Sequence, residues 1–449
     1  MKALAIYLCA LLLLLASPLS AQSDEACNFA EEVIRIGTLA PLSAPGAVLD
    51  GVQIAWVAEL AAEHVNAACG IAIDGVNHRV ETVIGDSEGL PERGQAAVER
   101  MIFDDGAVAV IGGFHSAVAL ATMGILHDNE IPTIYASPWN DNITANGIQE
   151  FETRAPRVST NDDGLDYIFR TSPSISLAAP TSMNWLLHLG VERAIVIAEN
   201  TDYGVPAAQK DKELLMAGGL ADDDVEIYHV ELGQEDFLPL IDRILARPDL
   251  PDAVMVEVTG ETMLNLTQQM AESGLAPSED TICALVDETA YKTETWWASV
   301  PDGNYCAFFR VGIVPALYNE MSLAVVNAYR DEYQDEITSY ALATYDAYMI
   351  MVQAIQRAGS ATDGPSIVRE IEQTDVTLTQ GRYYFQYGSH NPDLGDDPAW
   401  MWHQWPEPAV TMMQYFIQGQ PGPEAAVVWP PAYWTHDTAF IPYGAAPGE

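Results

Sequence analysis

Apolar and polar positions alternate along the chain in two different periods. Short apolar runs such as "VIRIGTLAPL", "HRVETVIGD", "AVAVIGG" and "IPTIYAS" read as strands. Between them lie longer stretches with apolar residues three and four apart: "VLDGVQIAWVAELAAEHVNAACG", which stops at Gly70, then "ERGQAAVERMIFDDG" and "SAVALATMGILHDNE". Those stretches read as helices. The pattern then repeats, with strands at "RAIVIAEN", "DVEIYHVE", "DAVMVEV" and "TICALV", each preceded by a further helical stretch. Strand-helix alternation of this kind predicts parallel sheets covered by helices on both faces.

Two such runs predict two α/β units of ordinary domain size. The joint between them is "IFRTSPS", Ile168 to Ser174, whose proline favours an extended crossover over a helix. From Asp287 to about Phe385 the pattern brings more helices, including "NEMSLAVVNAYRDEYQ" and "YALATYDAYMIMVQAIQRAG". Beyond that lie a polar loop, "GSHNPDLGDDPAW", and five tryptophans, Trp400, Trp402, Trp405, Trp429 and Trp434, expected to pack at cores and edges.

Composition narrows the function classes. The first residues, "MKALAIYLCALLLLLASPLSAQS", place Lys2 before a short apolar run that ends in small residues, so residues 1–21 are expected to be an export signal with the mature chain starting near Gln22. The protein is therefore expected in the periplasm, soluble and monomeric. With 64 acidic against 19 basic residues the formal charge is −45. Such a surface repels nucleic acid and anionic membranes. Losing Cys9 with the signal leaves Cys27, Cys69, Cys283 and Cys306 bound for an oxidising compartment. Of three connectivities, Cys27 with Cys69 and Cys283 with Cys306 are favoured: the first pair by a strand and a returning helix, the second by neighbouring parallel strands.

The chain carries no Gly-x-Ser-x-Gly elbow, no His-Glu-x-x-His, no phosphate loop with its lysine and no dinucleotide fingerprint, and its nine histidines lack zinc-ligand spacing. No cofactor or metal is expected. What stands out is "GGFHSA": two glycines leave a strand and deliver His115 and Ser116 to a helix start. A helix beginning beyond a parallel strand aims free N–H groups and a positive dipole end at a ligand, so Ser116 can seat a small anion such as a carboxylate, or else only cap its own helix. Ser137, Trp139, Tyr203, Glu257, Thr259 and Asp287 follow or close other strands, at the edge where a cleft between two such units opens. Asp287 can hold an ammonium or act as a helix cap, and Glu257 can equally pair with an arginine.

Taken in order, "IRIGTLAPLS", "VNAACGI", "AVIGGFHSAVALA", "IPTIYASPWNDNIT", "YIFRTSPS", "ENTDYG", "QQMAESGL" and "YALATYDAYMIMVQAIQRAG" resemble the type I periplasmic solute-binding proteins of the branched-chain amino acid and amide family, which feed ABC importers. The resemblance runs over nearly the whole mature chain. It implies two doubly wound lobes joined by three hinge crossovers, near Arg170 to Pro173, Ala284 to Val286 and Phe385 to Tyr387. The first lobe would then comprise residues 22–172 and 286–385, and the second 173–285, completed by 386–449. It further implies that Ser116 meets a ligand carboxylate, with Ser137 in the neighbouring loop. Tyr203 would cover the ligand and Asp287 would take its ammonium.

Two departures bear on the ligand: Trp139 stands where amino acid binders commonly have threonine, and Glu288 follows Asp287 where they often have glycine. A tryptophan wall suits a flatter, more aromatic, more cationic or simply smaller ligand than leucine. The expected role is capture of a small amino acid-like or amide ligand for delivery to an ABC importer permease. The alternatives are a ligand-sensing partner of a receptor kinase or chemoreceptor, and an exported hydrolase using Ser116 and His115.

Overall fold

In the computed structural model, which describes residues 27–145, 165–312 and 314–445, the apolar runs become the central strands of two sheets. The expected export signal, residues 1–21, lies outside the described residues.

The first sheet is built from β1 (Ile34–Ala40), β4 (Val80–Asp86), β5 (Ala107–Gly112), β6 (Thr133–Tyr135) and β7 (Ile168–Arg170), in the order β4-β1-β5-β6-β7, all parallel. β2 (Ile71–Ile73) and β3 (Val76–His78) make a separate small hairpin. The second sheet contains β8 (Ala194–Glu199), β9 (Val225–Val230), β10 (Ala253–Glu257), β11 (Ile282–Leu285) and β12 (Ala307–Val311). These run parallel in the order β12-β11-β10-β8-β9; after a second small hairpin, β13 (Asp375–Leu378) with β14 (Gly381–Tyr384), β15 (Val410–Gln414) and β16 (Ala426–Trp429) extend the β12 edge antiparallel.

Helices on both faces explain why these strands read as apolar runs: every residue of β8 and β10 is buried. Each buried branched side chain contributes about 1.5–3 kcal/mol relative to exposure. The two sheets share one connectivity. In each, the first strand has the second on one side and the third on the other, so the strand order reverses between β1 and β5 and again between β8 and β10. Ligands of open parallel sheets bind beyond the carboxyl ends at that reversal. It places Gly112 at one switch point, with Glu199 and Glu257 at the other.

The chain leaves the first sheet after β7. Arg170, fully buried, locks it: its side chain donates to Gln404 Oε1 at 2.5 Å, to the Asn140 carbonyl at 2.7 Å and to Thr144 Oγ1 at 3.0 Å.

The other two crossovers correct the expected boundaries. Residues 286–312 stay with the second lobe, because β12 pairs with β11 and because Trp296 and Val300 pack in one core cluster with Cys283 and Leu285. The chain passes to the first lobe only after Val311, before the helix Glu320–Tyr333, whose Val325, Val326 and Tyr329 pack on Val57 and Ala58. Likewise the third crossover lies between Trp405 and Val410. Trp405 packs in the first lobe's core and its backbone N–H donates to the Arg170 carbonyl at 3.0 Å, so residues 386–405 belong there.

Glu288 sits at the second junction, fully buried. It accepts from Arg310 Nη1 at 2.7 Å and Val311 N–H at 2.6 Å in the second lobe, and from Ser339 N–H at 2.7 Å and its hydroxyl at 2.5 Å in the first. Removing one partner of such a buried pair typically costs about 3–5 kcal/mol. Glu288 thus holds the lobes together, which accounts for a carboxylate directly after Asp287.

A disulfide joins Cys27 to Cys69, as favoured from sequence. The second favoured pair, Cys283 and Cys306, is buried with Sγ atoms 2.7 Å apart, closer than two non-bonded sulfurs rest but longer than the bond between Cys27 and Cys69. β11 and β12 run parallel and bring the two side chains into one core. Among the described residues no helix is long and apolar enough to cross a membrane.

Candidate functional site

The turn after β5 determines where Ser116 points. Gly113 takes φ +78°, and a Cβ there would lie 2.9 Å from the Tyr135 ring, so glycine is needed for the chain to turn this closely. The helix Ser116–Asp128 then begins, and its first internal bond runs from Ala119 N–H to the His115 carbonyl at 3.1 Å. The N–H groups before Ala119 are left for other acceptors. Ser116 does not cap this helix with its side chain. Its Oγ accepts from Asn140 N–H at 3.1 Å, which leaves the hydroxyl proton free to donate. The capping alternative therefore falls away.

A cleft of about 520 Å³, counting the part open to solvent, separates the two switch points. From the first lobe it is lined by Phe114, His115, Ser116, Ser137, Trp139 and Tyr340. The second lobe contributes Glu199, Thr201, Tyr203, Thr259 and Asp287. Seven of the eight residues expected from sequence thus meet in one cleft. The eighth, Glu257, stands one layer behind, in a smaller adjoining pocket, where it accepts from the Tyr203 hydroxyl at 2.5 Å. It fixes the ring that faces the cleft instead of lining the cleft itself.

The first-lobe wall presents unused polar atoms. Both ring nitrogens of His115, Ser137 Oγ and Trp139 Nε1 are buried without a hydrogen-bond partner among the described residues. Such atoms are costly unless a ligand or water satisfies them. Burial pushes the His115 imidazole down to about 4, so it is neutral at pH 7. Because neither nitrogen bonds to Ser116, and Ser116 Oγ is engaged by Asn140, the pair lacks the base-to-nucleophile contact a hydrolase needs.

The second-lobe wall is acidic. Asp287 Oδ1 accepts from Thr289 N–H at 2.6 Å and Oδ2 from Gly260 N–H at 3.1 Å, while burial raises the carboxyl to about 6. Glu199 closes β8, and its Oε1 accepts from the Thr259 N–H and hydroxyl, both at 2.8 Å. Burial is the main cause that lifts Glu199 to about 7, with Asp287 and Glu257 adding repulsion. Gly204 makes room beside this strand end, since a Cβ there would lie 2.2 Å from the Glu199 carbonyl oxygen. Behind the wall, Glu257 is raised to about 6 by burial, and Asp211 is raised well above its usual range by burial and by the Glu257 carboxyl against it. Among the described residues neither lysine nor arginine lines the cleft.

Aromatic rings close the remaining sides. Trp139 meets Tyr203 edge-on at 6.2 Å and Tyr340 at 6.4 Å, and Phe114 meets Tyr340 at 5.2 Å. The lobes also touch at the rim. Leu49 N–H donates to Glu261 Oε1 at 3.0 Å, Thr289 Oγ1 donates to Asp50 Oδ2 at 3.0 Å, and the Asn140 side chain donates to the Asp202 carbonyl.

Glu199, Phe114, Thr201 and Tyr340 were not singled out from sequence. Glu199 ends β8 as Glu257 ends β10, so its strand-end position was legible in the sequence, though not its burial. Tyr340 had no such signal, since it reaches the cleft from a helix some 140 residues after β8.

Comparison with known proteins places this geometry. The family model described as periplasmic binding protein matches residues 33–394. A "Leu/Ile/Val-binding protein homolog 8" from Brucella suis is 28% identical over 211 residues, covering 44% of this chain and 46% of that protein, so the match spans less than half of the relative's length. Two solved structures share the fold. LivJ from Streptococcus pneumoniae, in complex with isoleucine, has a TM-score of 0.67 at 18% identity, covering 87% of this chain and 97% of that one. An ABC transporter solute-binding protein from Rhodopseudomonas palustris, in complex with 3,4-dihydroxybenzoic acid, has a TM-score of 0.67 at 19% identity, covering 85% and 93%. With the family model matched over most of its length, the chain belongs to the periplasmic binding proteins.

Proposed function

We propose that this protein is the exported substrate-binding component of an ABC importer, capturing a small amino acid-like ligand in the periplasm and delivering it to a membrane permease as a monomer. The observation that carries this reading is the polarity of the cleft. Donors without partners, Ser116 and its helix N-terminus together with Ser137 and His115, line one wall, and the Asp287 carboxylate lines the other. A ligand with a carboxylate at one end and an ammonium at the other satisfies both. Lobe closure excludes water and strengthens both contacts. No covalent step is required. The isoleucine of the Streptococcus pneumoniae relative and the dihydroxybenzoate of the Rhodopseudomonas palustris one both carry a carboxylate, which supports the anion seat.

A thermal-shift screen of the mature protein against amino acids, amides and aromatic acids tests the reading. A ligand held at a hundredfold excess over its Kd stabilises by about 2.7 kcal/mol. Stabilisation by zwitterions, lost in Asp287→Asn, is the expected result. No shift with any compound that carries a carboxylate would contradict it.

A further inference from the structure

The cleft contains one more acid than a simple zwitterion needs. Glu199 and Asp287 both line it, and an α-ammonium neutralises only one carboxylate. Among the described residues no internal cation is placed to serve the other. The buried Arg310 is committed to Glu288 and the Tyr318 hydroxyl, Arg170 to Gln404, Asn140 and Thr144, and Lys292 donates to the Leu49 carbonyl close to Asp50. Nor is Glu199 explained as a cap for Thr259. Only its Oε1 is used there, while Oε2 has no partner among the described residues. A serine or asparagine would cap without the desolvation cost of a buried carboxylate.

The surroundings define what this acid wants. Trp139, Tyr203 and Tyr340 offer ring faces and edges beside the two carboxylates, a setting that favours a cation. A quaternary ammonium has no N–H to give to the open carboxylate lone pairs, whereas an ammonium or guanidinium has several. On the opposite wall, Ser137 Oγ and His115, buried and without partners, call for an acceptor, which a plain diamine lacks.

We infer that the ligand is a basic amino acid: its carboxylate rests on the first-lobe donors, its α-ammonium on Asp287, and a second N–H-bearing positive group on Glu199 between the aromatic rings. This inference rests on the reading of the cleft as an amino acid site and adds the class of side chain. The acidic surface raises the local concentration of such a ligand.

Isothermal titration at pH 7.5 with lysine and arginine, against norleucine and citrulline as neutral analogues of similar length, is the test. Lysine or arginine should bind at least tenfold more tightly than its neutral analogue. Glu199→Gln should erase that preference, bringing the affinity ratio of lysine to norleucine, and of arginine to citrulline, to within about threefold of one. Glu199→Asp, which keeps the charge, should retain it in part. A readout independent of any variant is proton release at pH 6.5. The basic amino acid should expel roughly three quarters of a proton more than its neutral analogue, because Glu199 must ionise to meet it. Equal affinity for charged and neutral analogues, equal proton release, or tight binding of putrescine or 4-hydroxybenzoate in place of amino acids would overturn the inference. If norleucine binds without any preference for lysine, the second-cation claim alone fails. If no amino acid binds at all, the underlying amino acid reading fails with it.

Discussion

Replacing Glu199 by glutamine in the empty protein should raise its stability, and by an amount that follows from its surroundings. The carboxyl is buried, and its proton affinity is lifted from the ordinary 4.5 to about 7. Below pH 4.5 the group is neutral in both folded and unfolded chains and makes no difference. As pH rises toward 7 the unfolded chain releases this proton while the folded chain keeps it, so stability falls. Above pH 7 the full penalty applies. A rise from 4.5 to about 7 corresponds to about 3 kcal/mol at 1.36 kcal/mol per pH unit. Glutamine avoids the charge, and its Oε1 can still accept both the Thr259 N–H and hydroxyl bonds that Glu199 holds at 2.8 Å. Urea unfolding of the ligand-free protein should therefore show Glu199→Gln more stable by about 3 kcal/mol at pH 8 and unchanged near pH 4.5. Destabilisation at pH 8, or the same shift at both pH values, would refute the idea that this acid waits unpaired for a ligand.

Other consequences concern binding and the scaffold. Asp287, raised to about 6 in the empty cleft, must ionise to hold an ammonium, so the affinity for a zwitterion should weaken about tenfold from pH 7.5 to pH 5. In Asp287→Asn zwitterion binding should be too weak to titrate at pH 7.5 as well as at pH 5, so that raising the pH no longer restores it. Ser116→Ala should weaken carboxylate ligands by about 1.5–3 kcal/mol, the worth of a hydrogen bond to a charged group, and should also cost about 1–3 kcal/mol in urea unfolding, because it leaves the buried Asn140 N–H without its acceptor. Replacing Cys27 and Cys69 by serine frees a loop with a sequence separation of 42 and should cost up to about 4 kcal/mol in urea unfolding.

The sequence disclosed most of what is periodic and local. Strands buried on both faces had to be apolar runs, which is why β1, β5, β8 and β10 could be read directly. The glycine pair before His115 and Ser116 announced a tight turn into a helix. What escaped was order across the sheet. "AFFRV" at Ala307–Val311 has the same composition whichever lobe it joins, and only its pairing with β11 assigns residues 286–312 to the second lobe. Residues 386–405 were misplaced for a similar reason: the contacts that retain them, Trp405 with Arg170 and Gln404 with Arg170, link positions 235 and 234 residues apart. Glu199 was passed over because a strand-end acid looks alike whether it is solvated or buried. Its meaning depends on β8 lying beside β10 at the point where strand order reverses, and one-dimensional spacing does not contain that. Glu257 was the converse case, an acid at the right strand end whose partner Tyr203 occupies the place facing the cleft.

The most direct measurement is a crystal structure of the protein with the tightest-binding amino acid from the screen. The ligand carboxylate is expected within hydrogen-bonding distance of Ser116 Oγ, its ammonium against Asp287, and Tyr203 and Trp139 around its side chain. A ligand bound outside this cleft, or touching only one of Ser116 and Asp287, would contradict the claim that the two switch points converge on a single small molecule.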